Sequence, residues 1–378
     1  MGTSVICVIL CMMRSLRPFL LALVVTTAFG QQSDTELLKT AIAEQQQGDY
    51  PAAIRDYRKW LDQHPDDVTA KVNLGAALVR IGQFDEGIAL YRAALPSLSF
   101  KNPVLLNLGL AYYKKGDFNN AREYFEQLRQ LEPQNVRVAT LLGDIDIKLG
   151  KAQEAVGLLA GFEAGNPQNM DFQYVYGSSL IAAGRRRDGA PRLEKVAAAT
   201  NAADAYLLAG TARLELEEYE PARRDLEAAL RLNPKLPNIY TLVGTVRDRV
   251  GDAKQAEPAF REALKINPDD FDANLYLGAI LYKRRDLDEA KPFLDRALKL
   301  KPGDSMARYE SAMLRSTAGE YEAAAQQLEG LVKDDPNWLE PHVQLASLYY
   351  KLHRPEDGAR ERAIVDRITA EQQAKGPK

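Results

Sequence analysis

Glycine recurs at a fixed interval through most of this chain. Five intervals are 34 residues and one is 33, and they separate Gly75, Gly109, Gly143, Gly177, Gly210, Gly244 and Gly278. The same register places Ala41, Ala312 and Ala346 at equivalent positions. A period of this length predicts a repeat architecture, in which each repeat is one supersecondary unit that buries its apolar face against its neighbours.

Each period contains two apolar stripes separated by a turn. Leu105, Leu108 and Tyr112 are spaced by three and four residues, which keeps them on one face of a helix. Gly116 and Asp117 then suit the end of that helix and the N-cap of a second one. The chain is therefore predicted to be all-α, with two helices in each repeat. The repeats are predicted to start near residues 34, 68, 102, 136, 170, 203, 237, 271, 305 and 339.

The repeated glycines need a structural reason. A glycine inside a helix costs about 1 kcal/mol relative to alanine. Close approach supplies the reason, because a residue without a β-carbon lets the first helix press against its partner helix and the next repeat. The second helices carry small residues as well, namely Ala53, Ala121, Ala155, Ala222, Ala256, Ala290 and Ala324.

These residues carry a family resemblance. Its clearest segments are Leu108-Gly109 with Tyr112, Gly116, Phe118, Ala121, Phe125 and Pro133, and Leu277-Gly278 with Leu281, Ala290, Leu294, Ala297 and Pro302. In both segments the chain resembles a tetratricopeptide repeat protein. The resemblance implies a right-handed α-solenoid of about ten helical hairpins over residues 31–376, with the first helices lining a concave groove. The charged segment 355–376 is predicted to be a capping helix.

The N-terminus differs in composition from the repeats. Residues 19–28 are nearly all apolar, Arg14 and Arg17 precede them, and Ala28-Phe29-Gly30 supplies small residues for a cleavage site. We interpret residues 1–30 as a signal peptide and expect a protein exported to the bacterial periplasm or secreted. A membrane anchor is the weaker alternative, since neither apolar run reaches the roughly 20 residues of a span.

The predicted cleavage removes both cysteines, Cys7 and Cys11, so the mature chain has no thiol. Translation from Met12 or Met13 rather than Met1 would give a more typical leader. The whole chain has a formal net charge of −3, and without Arg14 and Arg17 it has 47 basic against 52 acidic residues. This balance disfavours nucleic acid as a general partner.

Motifs for catalysis are missing from the sequence. The three histidines are scattered without an HExxH pair, and no phosphate-binding loop or nucleophile elbow occurs. Asp144 and Asp146 are two residues apart, which turns them to different sides of a helix, so a solvated or salt-bridged role is favoured over acid–base catalysis. We therefore predict no enzyme activity, no cofactor and no metal.

A set of cations follows the glycine register by five residues, near the end of each first helix. Its members are Arg80, Lys114, Lys148, Arg249, Lys283 and Lys351, and three of them are preceded by Tyr113, Tyr282 and Tyr350. The resemblance implies that these positions face the groove or its edge, where they would bind a peptide with acidic groups. The alternative is that each cation only complements the dipole of its own helix.

One repeat is irregular. Residues 170–202 form a repeat one residue short, with Arg185, Arg186 and Arg187 in its turn and Pro191 in its second helix. The segment is either a local break in the solenoid or an ordinary repeat with a solvated basic turn.

The leading hypothesis for function is a non-catalytic scaffold that binds a peptide or protein in its groove and has no membrane span after signal cleavage. The alternative is a periplasmic assembly factor for a secretion, pilus or polysaccharide export complex.

Overall fold

The structure is a computed structural model that describes residues 34–374, and every α-helix and turn in this range belongs to a helical repeat. The predicted signal peptide, both cysteines and the candidate start sites lie outside the described residues. The chain divides into two compact units, Met1–Leu216 and Glu217–Lys378, called unit one and unit two below.

The described part of unit one contains eleven α-helices, which alternate as first and second helices of successive repeats. They are α1 (Asp34–Gln47), α2 (Tyr50–Gln63), α3 (Val68–Arg80), α4 (Phe84–Ala94), α5 (Asn102–Lys115), α6 (Phe118–Leu131), α7 (Val136–Lys148), α8 (Ala152–Ala160), α9 (Met170–Ala182), α10 (Arg186–Thr200) and α11 (Ala203–Glu215). A short 3₁₀ turn, Leu95–Ser97, follows α4.

The described part of unit two contains nine α-helices and continues the same alternation. They are α12 (Tyr219–Leu232), α13 (Ile239–Arg249), α14 (Ala253–Ile266), α15 (Phe271–Lys283), α16 (Leu287–Leu300), α17 (Ser305–Thr317), α18 (Tyr321–Asp334), α19 (Leu339–Lys351) and α20 (Pro355–Ala374). The all-α repeat fold is confirmed. None of the described helices is both long enough and apolar enough to cross a membrane.

Helix ends form where the sequence pattern predicts them. Gly116 ends α5 in the left-handed conformation, with φ of +84°, and the side chain of Asp117 then accepts a hydrogen bond from the backbone N–H of Asn120. Nine first helices begin at the predicted residue, and α13 begins two residues later than predicted. The delay has a local cause, because Asn238 has φ of +56° and cannot be part of the helix.

The repeated glycines are required by their own partner helices. A β-carbon at Gly109 would lie 2.7 Å from Phe125, and one at Gly244 would lie 2.6 Å from Phe260. The same conflict, always with the side chain sixteen residues later on the second helix, occurs for Gly75, Gly143, Gly177 and Gly278. At Gly143 the next repeat contributes as well, through Val175 at 3.3 Å. In these six hairpins the glycine therefore creates space for one large side chain of the second helix.

In two repeats the backbones of the two helices also approach each other closely. A β-carbon at Gly87 would lie 2.9 Å from the carbonyl oxygen of Gly75, and one at Gly189 would lie 2.6 Å from that of Gly177. These glycines occupy the register of the alanines predicted for the second helices. Backbone carbonyls leave no room there for a methyl group, which is why glycine replaces alanine in these two repeats.

The irregular repeat 170–202 is packed on both sides within unit one. Its helices α9 and α10 contact each other, α9 also contacts α7 and α8, and α10 contacts α11. Pro191 is the sixth residue of α10, and Pro258 and Pro292 occupy the sixth residue of α14 and α16. These observations favour an ordinary repeat over a break. Of the three arginines predicted in the turn, Arg186 and Arg187 instead begin α10 and only Arg185 precedes it. Arg185 pairs with Asp188 and Arg186 pairs with Glu215, so these two charges are not only solvated.

Candidate functional site

First helices of neighbouring repeats contact one another within each unit. In unit one the contacts join α1, α3 and α5 in succession, and α7, α9 and α11 in succession. We call the exposed side of α3, α5 and α7 the unit-one face. Of the nine predicted site residues, Arg80, Tyr113, Lys114 and Lys148 lie in unit one and the other five in unit two.

Tyr113 does not present its ring to an open groove as expected. It is buried, with 8% of its surface exposed, because its ring packs edge-on against Phe118 at 5.6 Å. Its hydroxyl donates to Asp144 Oδ2 at 2.7 Å. Burial raises the pKa of the Tyr113 hydroxyl, and the neighbouring Asp144 carboxylate raises it further. Tyr113 is thus a structural link between α5 and α7.

Lys148 is also part of this link. Its side chain is 17% exposed, and its ammonium lies 3.5 Å from Asp144 Oδ1 and 5.9 Å from the centres of the Tyr113 and Phe118 rings. Burial raises the pKa of Asp144, although Lys148 and the Tyr113 hydroxyl both act to lower it. The charge of Lys148 is therefore already neutralised within the protein.

Asp144 and Asp146 point to different sides of α7, as the sequence predicted. Asp146 is 1% exposed and accepts a hydrogen bond from Arg122 Nε at 2.6 Å. Burial raises its pKa, and Arg122 opposes that effect. Arg122 also reaches Glu154 at 3.0 Å, so it joins α6 to both α7 and α8. Both aspartates are ion-paired, and both are more buried than a solvated surface carboxylate.

Arg80 and Lys114 are different, because neither has a counter-charge in the described part of the chain. Within residues 36–374, no carboxylate oxygen lies within 4.0 Å of either cation. Arg80 is exposed at the end of α3 and Lys114 is half-buried at the equivalent position of α5. Burial lowers the pKa of Lys114, and the positive charge of Arg80 lowers it further. The adjacent Lys115, by contrast, is paired with Asp85 at 2.5 Å.

In unit two, Arg249, Lys283 and Lys351 are exposed at the ends of their first helices. The ammonium of Lys351 lies 4.8 Å from the centre of the Tyr321 ring. Tyr282 is half-buried, with its hydroxyl 3.3 Å from Thr317 Oγ1. Tyr350 is 40% exposed and carries the guanidinium of Arg362 above its ring at 5.3 Å. Cations and phenol rings were expected to alternate along this surface, with Tyr282 and Tyr350 beside the cations of the set. Instead, Tyr282 contacts Thr317 and Tyr350 contacts Arg362.

The cations do meet aromatic rings, but in the preceding repeat. Lys148 approaches Phe118 and Lys351 approaches Tyr321, and each ring belongs to the first residue of a second helix. Both pairs have a sequence separation of 30, which also separates Tyr50 from Arg80, Phe84 from Lys114 and Tyr219 from Arg249. This spacing is a sequence signal for contacts between repeats. The observed contacts give Lys148 and Lys351 a structural role.

One carboxylate of unit two was not among the predicted site residues. Glu310 lies on α17, is half-buried and has no ion pair among the described residues. Burial raises the pKa of its carboxyl, Lys283 lowers it and Asp248 raises it. No motif marks this residue in the sequence, because its burial depends on the packing of unit two.

Metal-binding geometry is absent from the described residues, where no group of three His, Cys, Asp or Glu side chains could hold an ion. His342 is 3% exposed, and its Nδ1 lies 2.5 Å from Glu361 Oε2 while its Nε2 lies 3.2 Å from the carbonyl oxygen of Pro336. This histidine fastens the last helix, α20, to α19.

Family comparison agrees with the helical repeats. Tetratricopeptide repeat models match residues 38–101, 112–177, 203–236 and 249–314, which is more than half of the chain. The chain is a tetratricopeptide repeat protein. The matches fall in both units, so each unit of this tetratricopeptide repeat protein carries the family pattern.

Two curated relatives resemble parts of this tetratricopeptide repeat protein. It is 31% identical over 117 residues to the CTR9 homolog of Arabidopsis thaliana, which covers 31% of this chain and 10% of that protein. It is 29% identical over 198 residues to protein FlbA of Caulobacter vibrioides, covering 51% of this chain and 33% of that protein. The chain thus spans at most a third of either relative. A solved tetratricopeptide repeat protein from Parabacteroides merdae aligns with 65% of this chain and 98% of its own, with a TM-score of 0.44 and 18% identity.

Proposed function

We propose that the protein is a non-catalytic scaffold that binds an acidic segment of a peptide or protein on the unit-one face. Arg80 and Lys114 support this proposal, because they are neighbouring cations for which residues 36–374 supply no carboxylate partner. A carboxylate placed between them would relieve their mutual repulsion and restore the charge that burial disfavours on Lys114.

Other cations of the predicted set contribute less to this site. Lys148 is already paired with Asp144, and Tyr113 already donates its hydroxyl to the same carboxylate. Binding is therefore concentrated on α3 and α5, where the charges are uncompensated. Since the interaction is electrostatic and partly exposed, we expect it to weaken as the salt concentration rises.

Selection from a random peptide library followed by fluorescence anisotropy tests this function. We expect selected peptides to be rich in Asp and Glu. We expect Arg80→Glu and Lys114→Glu each to weaken binding at least about tenfold, or about 1.4 kcal/mol. Lys151→Glu is the matched control, because Lys151 is an exposed cation of unit one that forms no ion pair with any described residue. The affinity of this variant for the peptide should stay within about twofold of the unmodified protein's.

Selected peptides without acidic residues, or affinities that all three variants leave unchanged, would refute the proposed site. If Lys151→Glu weakened peptide binding to the same degree, the loss would be explained by net charge alone, and the site at Arg80 and Lys114 would be refuted as well.

We propose export as well, with residues 1–30 acting as a signal peptide and the protein working in the bacterial periplasm or outside the cell. Arg14, Arg17 and the apolar run that follows support this location. Mass spectrometry of the natural protein should find Gln31 at its N-terminus. Detection of peptides from residues upstream of Gln31 in the mature protein would contradict the cleavage.

A further inference from the structure

One side of α17 in unit two carries apolar side chains around a single carboxylate. Met306, Tyr309, Glu310 and Met313 follow one another at intervals of three, one and three residues, which places all four on the same side of the helix. Met306 is 47% exposed, and the other three are half-buried. We call these four residues the α17 face. A different side of the helix packs into unit two through Ala307, Ser311 and Leu314.

The carboxylate of Glu310 has no partner of its own. Within residues 36–374, no cation lies within 4.0 Å of it and no donor forms a hydrogen bond to it. Both of its oxygens remain in contact with solvent, so an incoming group can reach them. Lys283 of α15 and Asp248 of α13 act on this carboxylate from a greater distance and with opposite signs. The charge of Glu310 is therefore uncompensated, and partial burial makes it costly.

Two tyrosines accompany this carboxylate. The ring of Tyr309 packs against Trp338, with 5.4 Å between the ring centres. Burial raises the pKa of the Tyr309 hydroxyl, and Glu310 and Tyr282 raise it further, so these three groups are close neighbours. Tyr282 comes from α15, which contacts α17, and its hydroxyl lies 3.3 Å from Thr317 Oγ1. Aromatic rings beside a carboxylate favour a guanidinium, which can pair with the carboxylate and stack on a ring at the same time.

Methionines lie on both sides of the carboxylate along the helix. Met306 precedes Glu310 by about one turn, and Met313 follows it by about one turn. Methionine side chains are flexible and polarizable, so they pack against apolar groups of varied shape. A partner whose cation pairs with Glu310 would therefore find apolar contacts on either side of that pair.

We infer that the α17 face binds a segment of a partner protein in which one arginine is flanked by apolar residues. The guanidinium pairs with the carboxylate of Glu310 and lies against the tyrosine rings, and the flanking residues pack on Met306 and Met313. The uncompensated negative charge matches a single cation. Arginine fits better than lysine, because its planar group combines pairing with stacking. The site uses neither Arg80 nor Lys114, so it does not depend on the proposed function.

Methyl NMR and calorimetry of the full-length protein test the inference. The probe is a pentapeptide, acetylated and amidated at its ends, with a central arginine between two leucines and a glycine at each end. We expect a dissociation constant of about 1 mM. Binding should be at least about tenfold weaker when citrulline, which lacks the charge, replaces arginine. The methyl signals of Met306 and Met313 should shift on binding, whereas that of Met170 in unit one should not.

Glu310→Gln should weaken binding of the arginine peptide about tenfold and leave binding of the citrulline peptide within about twofold, because only the charged pair is lost. It removes a desolvated charge, so urea unfolding should show a variant at least as stable as the original protein. Glu322→Gln is the matched control, since Glu322 is an exposed carboxylate of unit two with no ion pair among the described residues, and it should change neither affinity. Met306→Ser should weaken both peptides about threefold through lost apolar contact.

Equal affinity for the arginine and citrulline peptides would overturn the inference, and so would an arginine peptide that binds Glu310→Gln as tightly as the original protein. N-acetylarginine amide should bind at least about threefold more weakly than the pentapeptide. Equal affinity would show that the site takes a small cation rather than a protein segment, which also overturns the inference. Arg80→Glu and Lys114→Glu should leave binding of the arginine peptide unchanged, so a failure of this site is distinguishable from a failure of the unit-one face.

Discussion

Gly109→Ala tests the reason for the repeated glycines. In a helix the change alone would stabilise the protein by about 1 kcal/mol. The new β-carbon would lie 2.7 to 2.9 Å from three ring atoms of Phe125, which is fully buried and cannot swing aside. Overpacking of this kind costs about 1 to 3 kcal/mol. The two effects together give a net destabilisation of up to about 2 kcal/mol, measured by urea unfolding and by hydrogen exchange of amides in α5 and α6.

Gly157→Ala is the matched control, because Gly157 lies inside α8 with open space around its Cα. This change should stabilise by about 0.5 to 1 kcal/mol, so identical substitutions should have opposite signs. Adding Phe125→Leu to Gly109→Ala should recover part of the loss, since Ala312 and Leu328 form the equivalent pair in another repeat and are both fully buried. Stabilisation by Gly109→Ala similar to that of Gly157→Ala would refute the close-approach explanation.

Three further measurements probe the charges of unit one. Arg122→Met leaves the buried carboxylate of Asp146 without its partner and should destabilise the protein by about 2 to 3 kcal/mol in urea unfolding. Arg296→Met is the control, because it removes an exposed ion pair with Asp269, and it should change stability by under about 1 kcal/mol. Burial raises the pKa of Asp144, so the native state binds more protons than the unfolded state and stability falls as pH rises above about 4. Asp144→Asn should make that slope shallower, because buried carboxyls such as Asp146 keep their own share of it. In lysine NMR titrations the pKa of Lys114 should lie below the ordinary value for lysine, and an acidic peptide should raise it.

Nearly the whole helical pattern could be predicted from the sequence, because it depends on local signals. The glycine register gives the repeat length, and Gly116 with Asp117 gives the turn. The spacing of the glycines could not predict which side chain makes each glycine necessary. The side chain opposite Gly109 is Phe125, sixteen residues later, and this follows from how two helices cross rather than from either helix alone.

The candidate site was harder to predict from the sequence than the helices were. All six cations share one repeat position, yet their environments differ because neighbouring repeats supply different partners. Asp144 neutralises Lys148 and accepts a hydrogen bond from Tyr113, whereas none of the described carboxylates lies within ion-pair distance of Lys114. The surface hollow lined by Glu163, Pro167 and Arg192 could not be predicted from the sequence for another reason. It forms where α8 ends after Ala160, earlier than the other second helices. Sequence patterns describe what a repeat contains, and specific sites arise where a repeat departs from them.

A crystal structure of the protein with an acidic peptide from the library selection would show where the peptide binds. We expect a peptide carboxylate within about 4 Å of both the Lys114 ammonium and the Arg80 guanidinium. A peptide bound on unit two, or one bound on unit one with both of these cations left in solvent, would contradict it.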